Sequence, residues 1–194
     1  MELYLVRHGQ TVWNKAGKLQ GRADIELNEN GREAAGRLGR ELEKTYFDII
    51  YSSPLIRAFE TACLIRGYRN IPIVRDKRLV EIDFGTQEGA LWSEWDKPEC
   101  PYNAFFTSPG NYVPPEKGET LEMVMERTKD FVKSVIEPDF LNKKRILLVA
   151  HGALNSALMC YLCGYEKKNF WGTGLLGNCE AAVFSYDGTL WKQI

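Results

Sequence analysis

Two short apolar runs, each ending in the same pair of residues, constrain this chain more than any other feature. Leu3-Tyr4-Leu5-Val6-Arg7 leads into His8-Gly9, and Ile146-Leu147-Leu148-Val149-Ala150 leads into His151-Gly152. Short runs of this kind suit strands buried on both faces, the central strands of a parallel sheet. An open α/β sheet presents reactive groups at the carboxyl ends of such strands, in a crevice. The glycine after each histidine lets the backbone turn away at once. These two are the only histidines in the chain. A single histidine closing a strand is usually a satisfied core or rim residue. Both doing so favours a reactive role.

Strand-like and helix-like stretches alternate along the chain. Residues 2–7, 48–52, 71–74 and 145–150 are predicted strands. Asn28 is the predicted N-cap of a helix reaching about Lys44, with Ala34, Leu38, Leu42 and Tyr46 on one stripe. Ser53 and Pro54 predict a second helix, serine as N-cap and proline at its first position. Residues 120–136 predict a third and residues 153–163 a fourth. Segments 181–186 and 189–192 flank Asp187-Gly188, a two-residue hairpin signal. Helices between strands imply parallel crossovers. The predicted fold is therefore α/β, a three-layer α/β/α sandwich with a mostly parallel sheet and an antiparallel edge. Residues 91–117 break the rhythm. They hold Trp92, Trp95, Tyr102, Phe105, Phe106 and Tyr112 among five prolines. Linkers are poor in aromatics, so this stretch reads as a cap inserted into a single domain spanning 1–194.

Composition excludes several classes. The 194 residues suffice for one domain with a sizeable core. A net charge of -1 argues against non-specific nucleic-acid binding. No apolar stretch is long enough to span a bilayer, and no charged-then-apolar leader precedes Glu2. A cytoplasmic protein is expected; oligomeric state is not readable. The five cysteines have no disulfide-framework spacing. Cys160 and Cys163 form a C-x-x-C pair, but they lie in an apolar helix-like run where small thiols pack well. No second pair or nearby histidine completes a zinc set.

The strand ends carry a coherent chemistry. The first delivers Arg7 and His8, with Asn14 close behind. The second ends in Ser52-Ser53 and leads to Arg57. Glu81 follows the third, and His151 with Gly152 opens the last helix. If these ends face one crevice, it holds two arginines, two imidazoles, an acid and a helix N-terminus. Arginine's planar fork matches phosphate oxygens, and a helix N-terminus adds amide donors. One unprotonated imidazole can attack phosphorus, and an acid can protonate the departing oxygen. Each piece alone has an ordinary reading: Arg57 as a solvated helix residue, Glu81 as an ion-pair partner, Asn14 as a turn. Their co-occurrence favours an active site.

The run Leu5-Val6-Arg7-His8-Gly9-Gln10-Thr11-Val12-Trp13-Asn14 resembles the signature of the histidine phosphatase superfamily, the phosphoglycerate mutase-like proteins. The likeness continues through Leu19-Gln20-Gly21, Leu27-Asn28 with Gly31, and Ser52-Ser53-Pro54-Leu55 with Arg57. It extends to Glu81, Phe84-Gly85, Glu88-Gly89, Gly118-Glu119-Thr120 and Ala150-His151-Gly152. The resemblance implies that His8 is the nucleophile and becomes a phosphohistidine. It implies that Arg7, Arg57 and His151 hold the phosphoryl oxygens, with contacts from Asn14 and the Gly152 amide. Gln20 and Gly21 line the substrate side, and Glu81 donates the proton. It implies no metal and no other cofactor, and a small phosphomonoester as substrate. Gln10 stands where glutamate is common, and Gln87 where an aromatic often precedes Glu88-Gly89.

Three alternatives stand beside the phosphatase. A mutase would grip a second anionic group, for which the mutases this chain resembles use extra basic residues between the acid and the second histidine. Residues 82–117 contain no arginine, only Lys97 and Lys117, and no Arg-Arg pair occurs in the chain. A non-catalytic binder would not need every catalytic residue type in place. A two-histidine metal protein lacks local ligand spacing.

Overall fold

A computed structural model describes residues 1–172 and 174–194 of the chain. In order, these build β1 (Glu2–Arg7), the one-turn α1 (Val12–Lys15), α2 (Glu29–Glu41), β2 (Ile49–Ser52), α3 (Ile56–Arg66) and β3 (Ile73–Arg75). Then come the short α4 (Trp92–Trp95) and α5 (Ala104–Thr107), α6 (Leu121–Phe131), β4 (Arg145–Ala150), α7 (Gly152–Cys163), β5 (Ala181–Tyr186) and β6 (Trp191–Gln193). The strands make one six-stranded sheet, ordered β3-β2-β4-β1-β5-β6. β4 runs parallel to β1 and β2, and β3 parallel to β2, whereas β5 and β6 close one edge antiparallel. This is the expected α/β architecture.

The pleat explains why β1 and β4 read as unbroken apolar runs. Successive side chains of a strand point to opposite faces. Ile146, Leu148 and Ala150 pack with Leu121, Val124 and Phe131 of α6 and Leu154 of α7. Leu147 and Val149 pack with Leu38 of α2 and with Ala58, Ala62 and Ile65 of α3. A one-residue slip would exchange the two sets, so burial on both faces pins the register. That register places Arg7 opposite Ala150, and the His8 amide donates to the Ala150 carbonyl at 2.9 Å. His8 and His151 therefore leave the sheet side by side. Gly9 is needed just beyond, because a Cβ there would lie 2.6 Å from the Gly31 carbonyl oxygen at the start of α2.

Two local readings need correction. Ser53 and Pro54 do not open a helix; α3 begins at Ile56 after Leu55. The Ser53 amide still donates to Val149 at 3.1 Å, so sheet pairing keeps the chain extended there. The free Ile56 amide donates instead to the Asp24 carboxylate at 2.8 Å, a cap that comes from a distant loop. The hairpin turn is also longer than two residues, since Tyr186 pairs with Trp191. The Asp187 carboxylate accepts from the Thr189 and Leu190 amides, closing a turn over residues 187–190. Smaller shifts occur elsewhere. The third strand lies at Ile73–Arg75 rather than 71–74, α2 stops at Glu41, and the helix expected over 120–136 loosens into a π turn from Val132. Asn28 caps α2 as expected, accepting from the Gly31 amide, and Thr120 caps α6, accepting from the Met123 amide.

Residues 91–117 form α4, α5 and a 3-10 turn at Pro109–Asn111. Trp95 is 1% exposed, in edge-to-face contact with Phe84 and Phe105. Phe105 in turn meets Tyr112 and Trp171. The aromatics thus build a core continuous with the α6–α7 side of the sheet. Trp92 stands apart, half exposed. Cys160 is buried in α7, with its thiol toward the Phe170 carbonyl and its pKa pushed up to about 12 by burial, as a packing residue requires.

Candidate active site

The carboxyl ends of β1 and β4 open onto one pocket of about 470 Å³. Arg7, His8, Asn14, Gln20, Glu81 and Gly152 are on its wall. Arg57 and His151 lie beneath the floor, both fully buried.

His8 is set up as a neutral imidazole. Its Nδ1 lies 2.7 Å from the Gly9 carbonyl oxygen, which can only accept, so Nδ1 carries the hydrogen. The lone pair is left on Nε2, 3.2 Å from the Arg57 Nε that donates to it. Burial, then the Arg57 and Arg7 cations, hold the ring well below the ordinary histidine pKa. The His151 ring lies 5.2 Å away, centroid to centroid. Neither of its nitrogens has a hydrogen-bond partner among the described residues. Burial and the same cations also keep it neutral.

Arg57 uses three of its five N–H groups within the protein, the first on His8. Nη1 donates to the Ala23 carbonyl at 2.9 Å and Nη2 to that of Gly21 at 2.7 Å. Burial lowers its pKa to about 10, so it stays charged at neutral pH. Arg7 donates from Nη1 to the Leu176 carbonyl at 2.7 Å, while its buried Nε is unpartnered. Gln20 accepts from the Thr11 hydroxyl at 2.6 Å, and its buried Nε2 has no partner either. Buried polar groups are rarely left unpaired in a finished structure. Arg7 Nε and Gln20 Nε2 are two such donors on the wall of one cavity, where an anion could meet them, whereas others, such as Arg66 Nε, Trp95 Nε1 and both polar atoms of the Asn155 side chain, belong to residues off that wall.

Glu81 sits on the opposite wall. One carboxylate oxygen accepts from the Ile82 and Leu154 amides, both at 2.9 Å, and the other from Ala153 at 3.1 Å. Two of those donors belong to the first turn of α7. Burial pushes its pKa above the ordinary carboxylate value, against the pull of these bonds and of the Arg57 charge. A Cβ on Gly152 would lie 3.6 Å from both the Arg7 Cζ and a Glu81 oxygen. The arginine, the acid and the helix start therefore converge there.

The profile of the histidine phosphatase superfamily (branch 1) matches residues 3–193. The chain belongs to that superfamily. Phosphoserine phosphatase 1 of Hydrogenobacter thermophilus is 33% identical over 186 residues, covering 95% of this chain and 85% of that protein. The solved structure of Bacillus stearothermophilus YhfR superposes with a TM-score of 0.90 at 33% identity, covering 99% of this chain and 94% of that one. The phosphoserine phosphatase of Entamoeba histolytica, solved with 3-phosphoglyceric acid, does so with 0.84 at 30%, covering 99% and 94%. Family, fold and the reading of a phosphoric monoester hydrolase from the sequence agree with these relatives, which favour phosphatase over mutase.

Besides Arg57 and His151, which lie beneath the floor, a third site residue of this histidine phosphatase is off the pocket wall. Gly21 is behind the wall: its amide donates to Glu88 and its carbonyl accepts from Arg57. A Cβ there would meet the Ile82 carbonyl at 2.2 Å, so its glycine serves close packing. Asn14 does face the pocket, but its Oδ1 accepts from the Thr11 amide, leaving only its Nδ2 to donate outward. The sequence reading missed the loop before β5. Trp171, Leu175 and Asn178 line the pocket, and Asn178 donates to the His8 carbonyl at 2.9 Å. Val6 pairs antiparallel with Ala181, so whatever precedes β5 must pass the end of β1. The hairpin signal marked the strand but not its neighbour. Lys18 and Asp96 on the rim carried no signal at all.

Proposed function

We propose that the chain is one catalytic domain that hydrolyses small phosphomonoesters in two steps through a phosphohistidine on His8, with residues 91–117 as a cap over the leaving-group side. The observation that carries this is the fixed tautomer of His8, whose Nε2 lone pair stands beside Arg57 at the pocket floor.

In the first step His8 Nε2 bonds to phosphorus and the ester P–O bond breaks. Glu81 gives its proton to the departing oxygen, so the alcohol leaves neutral. Arg7, Arg57, His151, the Gly152 amide and the Nδ2 of Asn14 hold the phosphoryl oxygens, with Gln20 on the substrate side. In the second step a water attacks phosphorus while the Glu81 carboxylate takes one of its protons. The His8 N–P bond breaks, and inorganic phosphate departs. Preorganised donors around the transferring group supply most of the stabilisation.

The body of the ester faces Phe84, Trp92, Phe105, Phe106, Trp171 and Leu175. We read this wall as selecting an apolar or ring-bearing alcohol. The mutase alternative has little support here. The cations on the pocket wall are Arg7 and Lys18, and Lys97 is paired with Glu94 outside the pocket. A second anionic group has few partners, so water intercepts the intermediate. No described helix is long and apolar enough to cross a membrane; we place the enzyme in the cytoplasm, acting on small metabolites rather than nucleic acid.

The test supplies 3-phosphoglycerate with and without 2,3-bisphosphoglycerate and follows both isomer and inorganic phosphate, alongside aryl and alkyl monoesters with a chelator present. Phosphate release without primer and unaffected by the chelator is expected. Isomer formation outrunning phosphate release would promote the mutase.

A further inference from the structure

We propose that Arg127 is a positioning residue for proton transfer: it holds the backbone that aims Glu81 at the leaving oxygen. The proposal rests on the proton-donor reading of Glu81 given above.

Glu81 lies in residues 80–84, which belong to no helix or strand. No ladder satisfies their backbone, so each buried carbonyl needs a donor from elsewhere. Arg127 supplies them from α6. Its Nη1 donates to the carbonyls of Arg78 at 2.5 Å and Val80 at 2.7 Å, and its Nη2 to that of Glu81 itself at 3.2 Å. The remaining edge of the guanidinium is clamped by Glu119, Nε to Oε1 at 2.9 Å and Nη2 to Oε2 at 3.0 Å. Glu119 then grips the far side of the same segment. Its Oε2 accepts from the Asp83 amide at 3.2 Å, and its own amide donates to the Asp83 carbonyl at 2.8 Å.

The chemistry of this clamp is geometric. A buried ion pair adds little stability by itself, because desolvation offsets the attraction. Its planar fork does fix direction, which the point charge of a lysine does not. Direction matters because the Glu81 carboxyl bridges its own segment and α7, through Ile82 on one side and Ala153 and Leu154 on the other. If the segment moves, the carboxyl loses its aim while phosphate binding at Arg7, Arg57 and His151 is untouched. Arg127 is not on the pocket wall; its charge also bears on His151, and Arg127→Lys keeps that charge while removing the fork.

The experiment compares Arg127→Lys with the parent enzyme on an alkyl ester, glycerol phosphate, and on p-nitrophenyl phosphate, whose leaving group departs without a proton. The kcat/KM on the alkyl ester should fall roughly 10- to 100-fold, the usual consequence of a displacement of about 1 Å. The aryl ester should lose less than about threefold, since it needs little acid catalysis. In a Glu81→Gln background, Arg127→Lys should change neither rate further, because the two act as one unit. Equal losses on both esters, no loss, or a full additional loss without Glu81 would each overturn the proposal and leave Arg127 as a general anchor. If melting shows that Arg127→Lys does not fold, Glu119→Gln, which releases the clamped edge, carries the same expectations. If Glu81→Gln itself slows both esters alike, the proton-donor reading fails first and this proposal with it. If Glu81→Gln is selective and Arg127→Lys is not, only the role of Arg127 falls.

Discussion

The floor of the pocket and its rim are built on different principles. At the floor, His8, Arg57, His151 and Glu81 are each 6% exposed or less, and the first, second and fourth are held by bonds of defined geometry. His8 and His151 follow β1 and β4, strands that cannot slip without exchanging two cores, while Arg57 stands in the first turn of α3 and Glu81 is tied to the first turn of α7. At the rim, Trp92 is half exposed, and the Lys18 ammonium stands over the face of Trp13. The rim elements are single-turn helices and loops. The contrast teaches where each kind of work is done. Phosphoryl chemistry needs fixed donors in a dry site, so it sits on the rigid sheet. Choice of alcohol tolerates variation, so it falls to segments whose sequence the sheet does not constrain.

Substitutions at the floor and at the rim test this division. The largest effect is expected at the floor. His8→Ala should lower kcat on every monoester, by a factor on the order of 10⁵, as loss of a nucleophile does. A brief pulse of labelled substrate, quenched in alkali, should leave phosphate on His8 of the parent enzyme and none on the variant. Label on His151 instead would reassign the nucleophile.

Glu81→Gln comes next. Alkyl phosphates should slow by roughly 10²–10⁴-fold, the range of general acid catalysis, and aryl phosphates with acidic leaving groups much less. A plot of log kcat/KM against leaving-group pKa should steepen. An unchanged slope would remove Glu81 from the donor role and make the floor a binding site alone.

The floor should also show itself in stability. His8 and His151 are both held well below the ordinary value of 6.5, chiefly by burial and then by the Arg57 charge. The unfolded chain therefore binds protons that the folded one refuses. Stability is complete above pH 6.5 and declines as pH falls below it, by up to about 1.4 kcal/mol per histidine for each unit. Denaturant titrations from pH 7.5 to 5 should show this decline, and His151→Gln should flatten it. Equal slopes in parent and variant would mean that His151 is not buried neutral.

The smallest effect belongs to the rim. Trp92→Ala should raise KM for ring-bearing esters by about three- to tenfold, the worth of one aromatic contact, and leave kcat on small alkyl phosphates alone. Substrate ranking is the readout. If the ranking stays as it was, residues 91–117 only cover the sheet, and the division drawn here fails at the rim.

How much of this was legible beforehand depended on range. The cap at Asn28 was readable because a side chain bonds an amide three residues on. The start of α3 was not, because the cap that decides it, Asp24, lies in a distant loop and the Ser53 amide is held by β4. Gly21 marked a true constraint, but the crowding by Glu88 and Ile82 that explains it is tertiary. Arg127 lies mid-helix, and nothing nearby in sequence shows that its fork reaches carbonyls 46 to 49 positions away.

By itself, then, the sequence determined the two buried strands, the residues delivered at their ends and the family those residues announce. It could do so because burial on both faces and a following glycine are local properties of a run. The tertiary structure alone decided that Arg7 opposite Ala150 brings the two histidines together, which tautomer His8 adopts, and which amides hold Glu81. Those depend on sheet register and on backbone from far along the chain, and distance along a chain carries no record of who will lie beside whom.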